Sequence, residues 1–229
     1  MIKHLINTLA KWVHIKRRVF IAHKVGEEKP IRISFAITVC NEAKQLRELL
    51  DFLQPFCTKD DEIVIQADKA KVTESVKKVI LAHQNIHYTE YDFQFDFAKA
   101  KNHLNKQCHG DWIFQLDADE CPKTYLMKHL HAILHANYDV ELIKIPRINM
   151  FVNIDGSVID SYVAWPDYQG RLYRNEAKRI YWQFPLHEKI RGHKAYVYLP
   201  KDDQYAICHV KEKEQDKEKW ENWRKYYNT

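Results

Sequence analysis

Three carboxylates within four residues, Asp117, Asp119 and Glu120, follow a short apolar run, Trp112-Ile113-Phe114-Gln115-Leu116. The run reads as a buried strand opened by Gly110-Asp111. On an extended chain Asp117 and Asp119 fall on one side, about 7 Å apart by strand rise. Two carboxylates at the carboxyl edge of a sheet can share a hard, oxygen-seeking divalent cation with the phosphates of a substrate. The plainer alternative is a turn. In it Asp119 or Glu120 caps a helix that Cys121-Pro122 begins, and Asp117 is merely solvated.

A second pair, His187-Glu188, follows Pro185. Successive strand residues point to opposite faces, so both can serve one site only if the backbone bends there. A structural His beside a solvated Glu is the alternative.

The elements that must position these groups come in a regular order. Ile31 to Val39 predicts a strand, and Asn41-Glu42 opens a helix with Leu46, Leu49, Leu50 and Leu53 on one face. Glu62 to Gln66 predicts a strand, Val72 to His83 a helix, and Ile86 to Tyr91 a third strand. Asp96 caps a helix from Phe97 to about Gln107, and the carboxylate-bearing strand comes next. This alternation implies a mostly parallel sheet with helices on both faces. A helix over Pro122–Ala136 follows. The strands after it are short and aromatic-rich: Val140 to Pro146, Ser157 to Val163, Arg171 to Tyr173, Ile180 to Phe184 and Tyr196 to Leu199. They predict a mixed or antiparallel second half. Its Tyr162, Trp165, Tyr168, Tyr181 and Trp182 could stack on a bound ligand or fill the core.

Composition narrows the classes. The chain has 229 residues, 45% hydrophobic and 13% aromatic, enough for a full globular core. Its five cysteines show no C-x-x-C pair, which predicts a reducing compartment with neither disulfide framework nor zinc site. No apolar run approaches the roughly 20 residues of a membrane span. No signal peptide is visible, so the expected location is cytoplasmic. The net charge of +5 is concentrated in residues 1–25, which hold six of the 36 basic residues and no acid. The remaining 30 basic and 31 acidic residues balance, leaving no basic face for nucleic acid. The helical spacing of Ile2, Leu5, Ile6, Leu9, Trp12, Val13 and Phe20 predicts an amphipathic helix. That helix could lie peripherally on an anionic membrane or dock on its own domain. Lys211–Thr229 reads as a charged C-terminal helix with an aromatic edge. The predicted organisation is thus an N-terminal helix (1–25), one domain (30–204) and a C-terminal helix (205–229).

In order along the chain, "FAITVCNEAKQLRELLDFL", "DEIVIQAD", "DFAKAKNHLNKQCHGDWIFQLDADE", "RLYRN" and "PLHEKI" resemble the motifs of family 2 glycosyltransferases of GT-A fold. The last two are similar to the subgroup that includes lipopolysaccharide-core β-1,4-glucosyltransferases. The resemblance spans about residues 31–200. It implies an α/β, Rossmann-like nucleotide-binding sheet followed by an acceptor-side half. It also implies an inverting, metal-dependent transfer of a hexose from a nucleotide sugar to a saccharide or glycolipid in cell-envelope polysaccharide or lipopolysaccharide synthesis.

The same resemblance implies roles for residues. Asp119 would hold Mn²⁺ or Mg²⁺, and Asp117 the metal or the ribose and phosphate side. Glu188 would be the base that deprotonates the acceptor, with Glu120 its rival, and His187 a further metal or phosphate contact. Lys101 and Asn102 match an Arg-Asn pair near the diphosphate, and Asn41 and Glu42 a nucleotide-side turn. The family's Asp-Asp-Gly-Ser-Thr-Asp segment is replaced by Gln66-Ala67-Asp68-Lys69-Ala70-Lys71. Asp68 is the acid left to meet the nucleobase, so a UDP-sugar is the preferred donor and not a fixed one. Two other classes use the same residues: a nucleotidyl- or phosphoryl-transfer enzyme, and a degenerate transferase fold kept as a membrane-associated scaffold.

Overall fold

The computed structural model describes residues 30–212. The expected helix over residues 1–25, and residues 213–229 of the expected C-terminal helix (205–229), lie outside the described residues.

Four parallel strands carry the first half: β1 (Ile33–Val39), β2 (Glu62–Asp68), β3 (Ile86–Tyr91) and β4 (Trp112–Asp117). Helices α1 (Ala43–Leu53), α2 (Glu74–Leu81) and α3 (Phe97–Asn105) connect them. The period-2 rule sorts the core into two layers. Phe35, Ile37, Trp112 and Phe114 lie in one layer with Leu46 and Leu50 of α1 and Val76 and Ile80 of α2. Ala36, Val64 and Ile113 face the other way, toward Ala98 and Leu104 of α3. Two helix starts follow from their caps, since Thr73 accepts from the amide of Val76 and Asp96 from that of Lys99. Gly110 allows the entry to β4 to press against β1; a Cβ there would lie 2.6 Å from the Ser34 amide nitrogen.

The second half adds β5 (Glu120–Pro122), α4 (Thr124–Ala136), β6 (Leu142–Ile145), β7 (Arg147–Val152), β8 (Val158–Val163) and β9 (Gln169–Arg174). It closes with β10 (Tyr181–Gln183), β11 (Lys189–Arg191), β12 (Tyr196–Tyr198) and β13 (Ile207–Glu212). The main sheet has the order β12-β6-β9-β4-β1-β2-β3, with β9 antiparallel to both β4 and β6. A second sheet, β5-β13-β7-β8, and a β10–β11 hairpin stand beside it. This is the α/β GT-A-type architecture that the resemblance implies.

Three local expectations are corrected. Pro122 does not open a helix: Glu120–Pro122 pairs antiparallel with β13, and α4 begins at Thr124. The boundary at residue 204 also fails, because Ile207–Glu212 is a strand between β5 and β7 and not part of a charged helix. Finally, β4 ends at Asp117 and Ala118-Asp119 form a turn, so Asp117 and Asp119 do not share one strand face. Among the described residues, no helix is long and apolar enough to cross a membrane.

Candidate active site

The turn after β4 carries the chain from one sheet to the other, and its three carboxylates have three different surroundings. Asp117, at the end of β4, accepts from the Thr38 hydroxyl at 2.7 Å and from Arg171 Nη2 at 2.6 Å. Lys101 Nζ lies 3.7 Å from its other side. Burial pushes this carboxyl up, but Arg171, Lys101 and the Thr38 bond outweigh it and hold Asp117 well below the usual range. Glu120 is buried, with no exposed side-chain surface. Its Oε1 accepts from Arg171 at 2.5 Å and Arg147 at 3.0 Å, and its Oε2 from the Asp117 amide at 3.2 Å. Desolvation opposes the charge on Arg171, yet Asp117 and Glu120 raise its pKa above the usual arginine value.

Asp119 turns toward the second sheet. Its Oδ2 lies 3.3 Å from His209 Nε2 in β13, and His209 Nδ1 lies 3.1 Å from Asn149 Oδ1 in β7. Among the described residues, no group of three or more His, Cys, Asp and Glu side chains forms a ready-made metal cage.

The opposite wall is the loop of the β10–β11 hairpin. Phe184 and His187 both have left-handed backbones, with φ of 77° and 53°. These turns supply the bend that the His187-Glu188 pair needs, at some conformational cost. The loop is anchored by the Phe97 amide donating to the Pro185 carbonyl at 3.0 Å. Glu188 Oε1 accepts from Lys101 Nζ at 2.7 Å. Lys101 is 3% exposed and also lies 4.7 Å from the centre of the Trp182 ring. Lys101 thus bridges Asp117 and Glu188 instead of standing open to a diphosphate. Asn102 is likewise engaged, exchanging two 2.8 Å bonds with the Trp182 backbone and so fixing the hairpin on α3.

On the nucleotide side, Glu42 Oε2 folds back to accept from the amides of Cys40 and Asn41, at 2.8 and 3.0 Å. Asn41 is exposed beside it. Asp68, at the end of β2, accepts from the Ala70 amide at 3.1 Å in a tight turn. Sequence reasoning missed Arg147, Arg171 and His209. A signal existed for Arg171, because an arginine between Gly170 and Leu172 in a buried strand demands a carboxylate partner. His209, in the run Cys-His-Val-Lys-Glu, offered none.

Residues 34–196 match the model of glycosyl transferase family 2, more than half of the 229 residues, and the chain belongs to that family. No curated protein matches. Among solved structures it is similar to S. aureus TarS 1–349, at 19% identity and a TM-score of 0.56, with 79% of this chain and 60% of that chain covered. It is also similar to the same TarS fragment in complex with UDP-GlcNAc, at 18% identity and a TM-score of 0.59, covering 80% and 59%. The chain therefore spans less than two thirds of these relatives, and they speak for the fold.

Proposed function

We propose that this chain is an inverting, metal-dependent hexosyltransferase using a UDP-sugar, with Glu188 as base. Its acceptor would be a saccharide or glycolipid of the cell envelope, in the manner of the lipopolysaccharide-core subgroup. The observation that carries the reading is the Lys101 bridge, which ties Glu188 across the sheet edge to Asp117. A nucleotide sugar seated on that edge would have its anomeric carbon between the two walls. Glu188 then takes the proton of the acceptor hydroxyl as its oxygen bonds to the anomeric carbon. The bond to the diphosphate oxygen breaks on the opposite face, which inverts the centre. Glu120 is the weaker base because its oxygens are spoken for by Arg171, Arg147 and the Asp117 amide.

Asp119 and His209 fit a divalent cation. One carboxylate oxygen and one imidazole nitrogen suit Mn²⁺ better than Mg²⁺, and substrate phosphates commonly complete such a shell. A cation bound there supplies Lewis-acid neutralisation of the leaving diphosphate. Asp117, already balanced by Arg171 and Lys101, serves as the pillar that orients those two cations. The UDP preference rests on Asp68 and on the sequence resemblance. A peripheral membrane location rests on the acid-free stretch 1–25. A partly exposed Glu188 held on a buried lysine is an expense that a scaffold would not need.

The test is Glu188→Gln, assayed by transfer from UDP-hexoses to a panel of alkyl glycosides. Transfer is expected to fall about 10²–10⁴-fold, the usual worth of a general base, while UDP affinity in Mn²⁺ stays within a few-fold. Turnover within a few-fold of the parent would remove Glu188 from the chemistry.

A further inference from the structure

His209 and Asn149 are cross-strand neighbours in the parallel β13–β7 ladder, and each is 8% exposed. The orientation of the Asn149 amide is fixed by what surrounds its nitrogen. Nδ2 donates to the Val163 carbonyl at 3.2 Å and to Asp167 Oδ2 at 2.9 Å, and both of these oxygens only accept. Asp167 is itself clamped by Arg147, at 2.7 and 3.0 Å, and by Gln169 at 2.7 Å. The amide therefore cannot flip without facing its nitrogen away from two acceptors. What remains toward His209 is Asn149 Oδ1, which can only accept, so the proton of the facing ring nitrogen Nδ1 must point at it.

The consequence lies on the other side of the ring. A neutral imidazole protonated at Nδ1 presents a lone pair at Nε2, and Nε2 faces Asp119 Oδ2 across 3.3 Å. In the neutral ring, two acceptors brought that close call for a cation between them, whereas the doubly protonated ring would donate to Asp119 itself. The Nε2-protonated form would instead donate to Asp119 and close the gap with a hydrogen bond. We infer that Asn149 is a positioning residue that holds His209 in its Nδ1–H tautomer, with Asp167 locking the Asn149 amide, so that Nε2 is offered to a divalent cation at Asp119. The inference rests on the reading of Asp119 and His209 as the metal pair. Partners of this kind, one bond removed from the ligand, typically change metal affinity 10–100-fold.

The experiment uses the full chain. Imidazole ¹⁵N shifts of the metal-free protein are recorded at about pH 9, well above the ordinary imidazole range, with the His209 signals assigned by their loss in His209→Ala. The expected spectrum has His209 protonated at Nδ1. A ring protonated at Nε2 overturns the inference without any variant that must fold. Asn149→Leu, verified by circular dichroism, should shift His209 toward the Nε2–H form. It should also weaken Mn²⁺ binding in the presence of UDP by 10–100-fold by electron paramagnetic resonance. Unchanged tautomer and affinity in that variant also overturn the inference. Undiminished Mn²⁺ affinity in His209→Ala would instead sink the metal-pair reading, so the two failures are separable.

Discussion

Replacing Arg171 with methionine should cost stability in an amount that the surrounding contacts bound. Its Nη2 alone donates to Asp117 at 2.6 Å and to Glu120 at 2.5 Å, and its side chain is 4% exposed. Removing one member of a buried ionic cluster costs about 3–5 kcal/mol, because a charge is left in a poor solvent. Neither carboxylate is wholly abandoned here. Glu120 keeps Arg147 at 3.0 Å, and Asp117 keeps Thr38 at 2.7 Å and Lys101 at 3.7 Å. Asp117 is also about one-third exposed, so water can return to it. The lower end, about 3 kcal/mol, is therefore expected for Arg171→Met. At roughly 2–4 °C per kcal/mol for a domain of this size, Tm should fall about 6–12 °C. Urea denaturation of Arg171→Met, Glu120→Gln and the double variant forms a cycle. The double should be less destabilised than the sum of the singles by about 1–3 kcal/mol, since it removes both charges together. Additivity within about 0.5 kcal/mol, or a loss below about 1 kcal/mol for Arg171→Met, would refute this account of the cluster.

Asp119→Ala should abolish the Mn²⁺ dependence of UDP binding by calorimetry with little change in Tm; an unaltered Mn²⁺ dependence would count against the metal role. Glu141 is held down to about 2 by bonds from Arg179, which outweigh a smaller upward push from burial. A depressed carboxylate contributes stability above its unfolded pKa of about 4.3, and this is lost as pH falls toward about 2. Tm should therefore drop across that acid window, and less steeply in Glu141→Gln; equal slopes would deny the pair a role. Deleting residues 1–25 should abolish co-sedimentation with anionic vesicles at low salt while sparing donor hydrolysis, and full-length protein that ignores such vesicles would end the membrane proposal.

The first half was legible because its signals are redundant. Each of β1, β2 and β4 buries at least four consecutive residues, and α1 repeats leucine at helical spacing over eleven residues. The end of the apolar run at Asp117 and the Pro185 bend were visible as sharp breaks in pattern, whereas the turn through Ala118-Asp119 was only the alternative to an extended run. The second half was less so. Strand β10 lies inside the expected Ile180 to Phe184 run, but β11 has three residues and buries only the middle one, too little for a period to show. Glu120–Pro122 resembles a helix start locally, and only β13, about 90 residues on, makes it a strand. The site suffers from the same range. Asp119 meets His209 across 90 residues and Asp117 meets Arg171 across 54, separations at which composition and spacing carry no information.

The ionic cluster lies where it does because the chain changes sheets there twice. It leaves the main sheet at Asp117 and enters the second at Glu120, then leaves again at Ile145 and re-enters at Arg147. Strand ends at such crossings expose backbone and leave gaps that apolar side chains fill poorly. Arg147 and Glu120 join the two crossings, and Arg171, from the main sheet, holds Asp117 and Glu120 together across the first. Lys101 extends the alternation to Glu188, and Asp167 ends it at Asn149 and His209. Buried pairs of this kind seldom add stability over apolar replacements of equal volume. Their value here is geometric: each charge has its partners on different elements, so the junction fixes the distance between the Glu188 wall and the Asp119–His209 wall. On the proposed reading that spacing must stay constant, because the acceptor oxygen, the anomeric carbon and the leaving diphosphate have to stay in line while the bond order passes from one oxygen to the other.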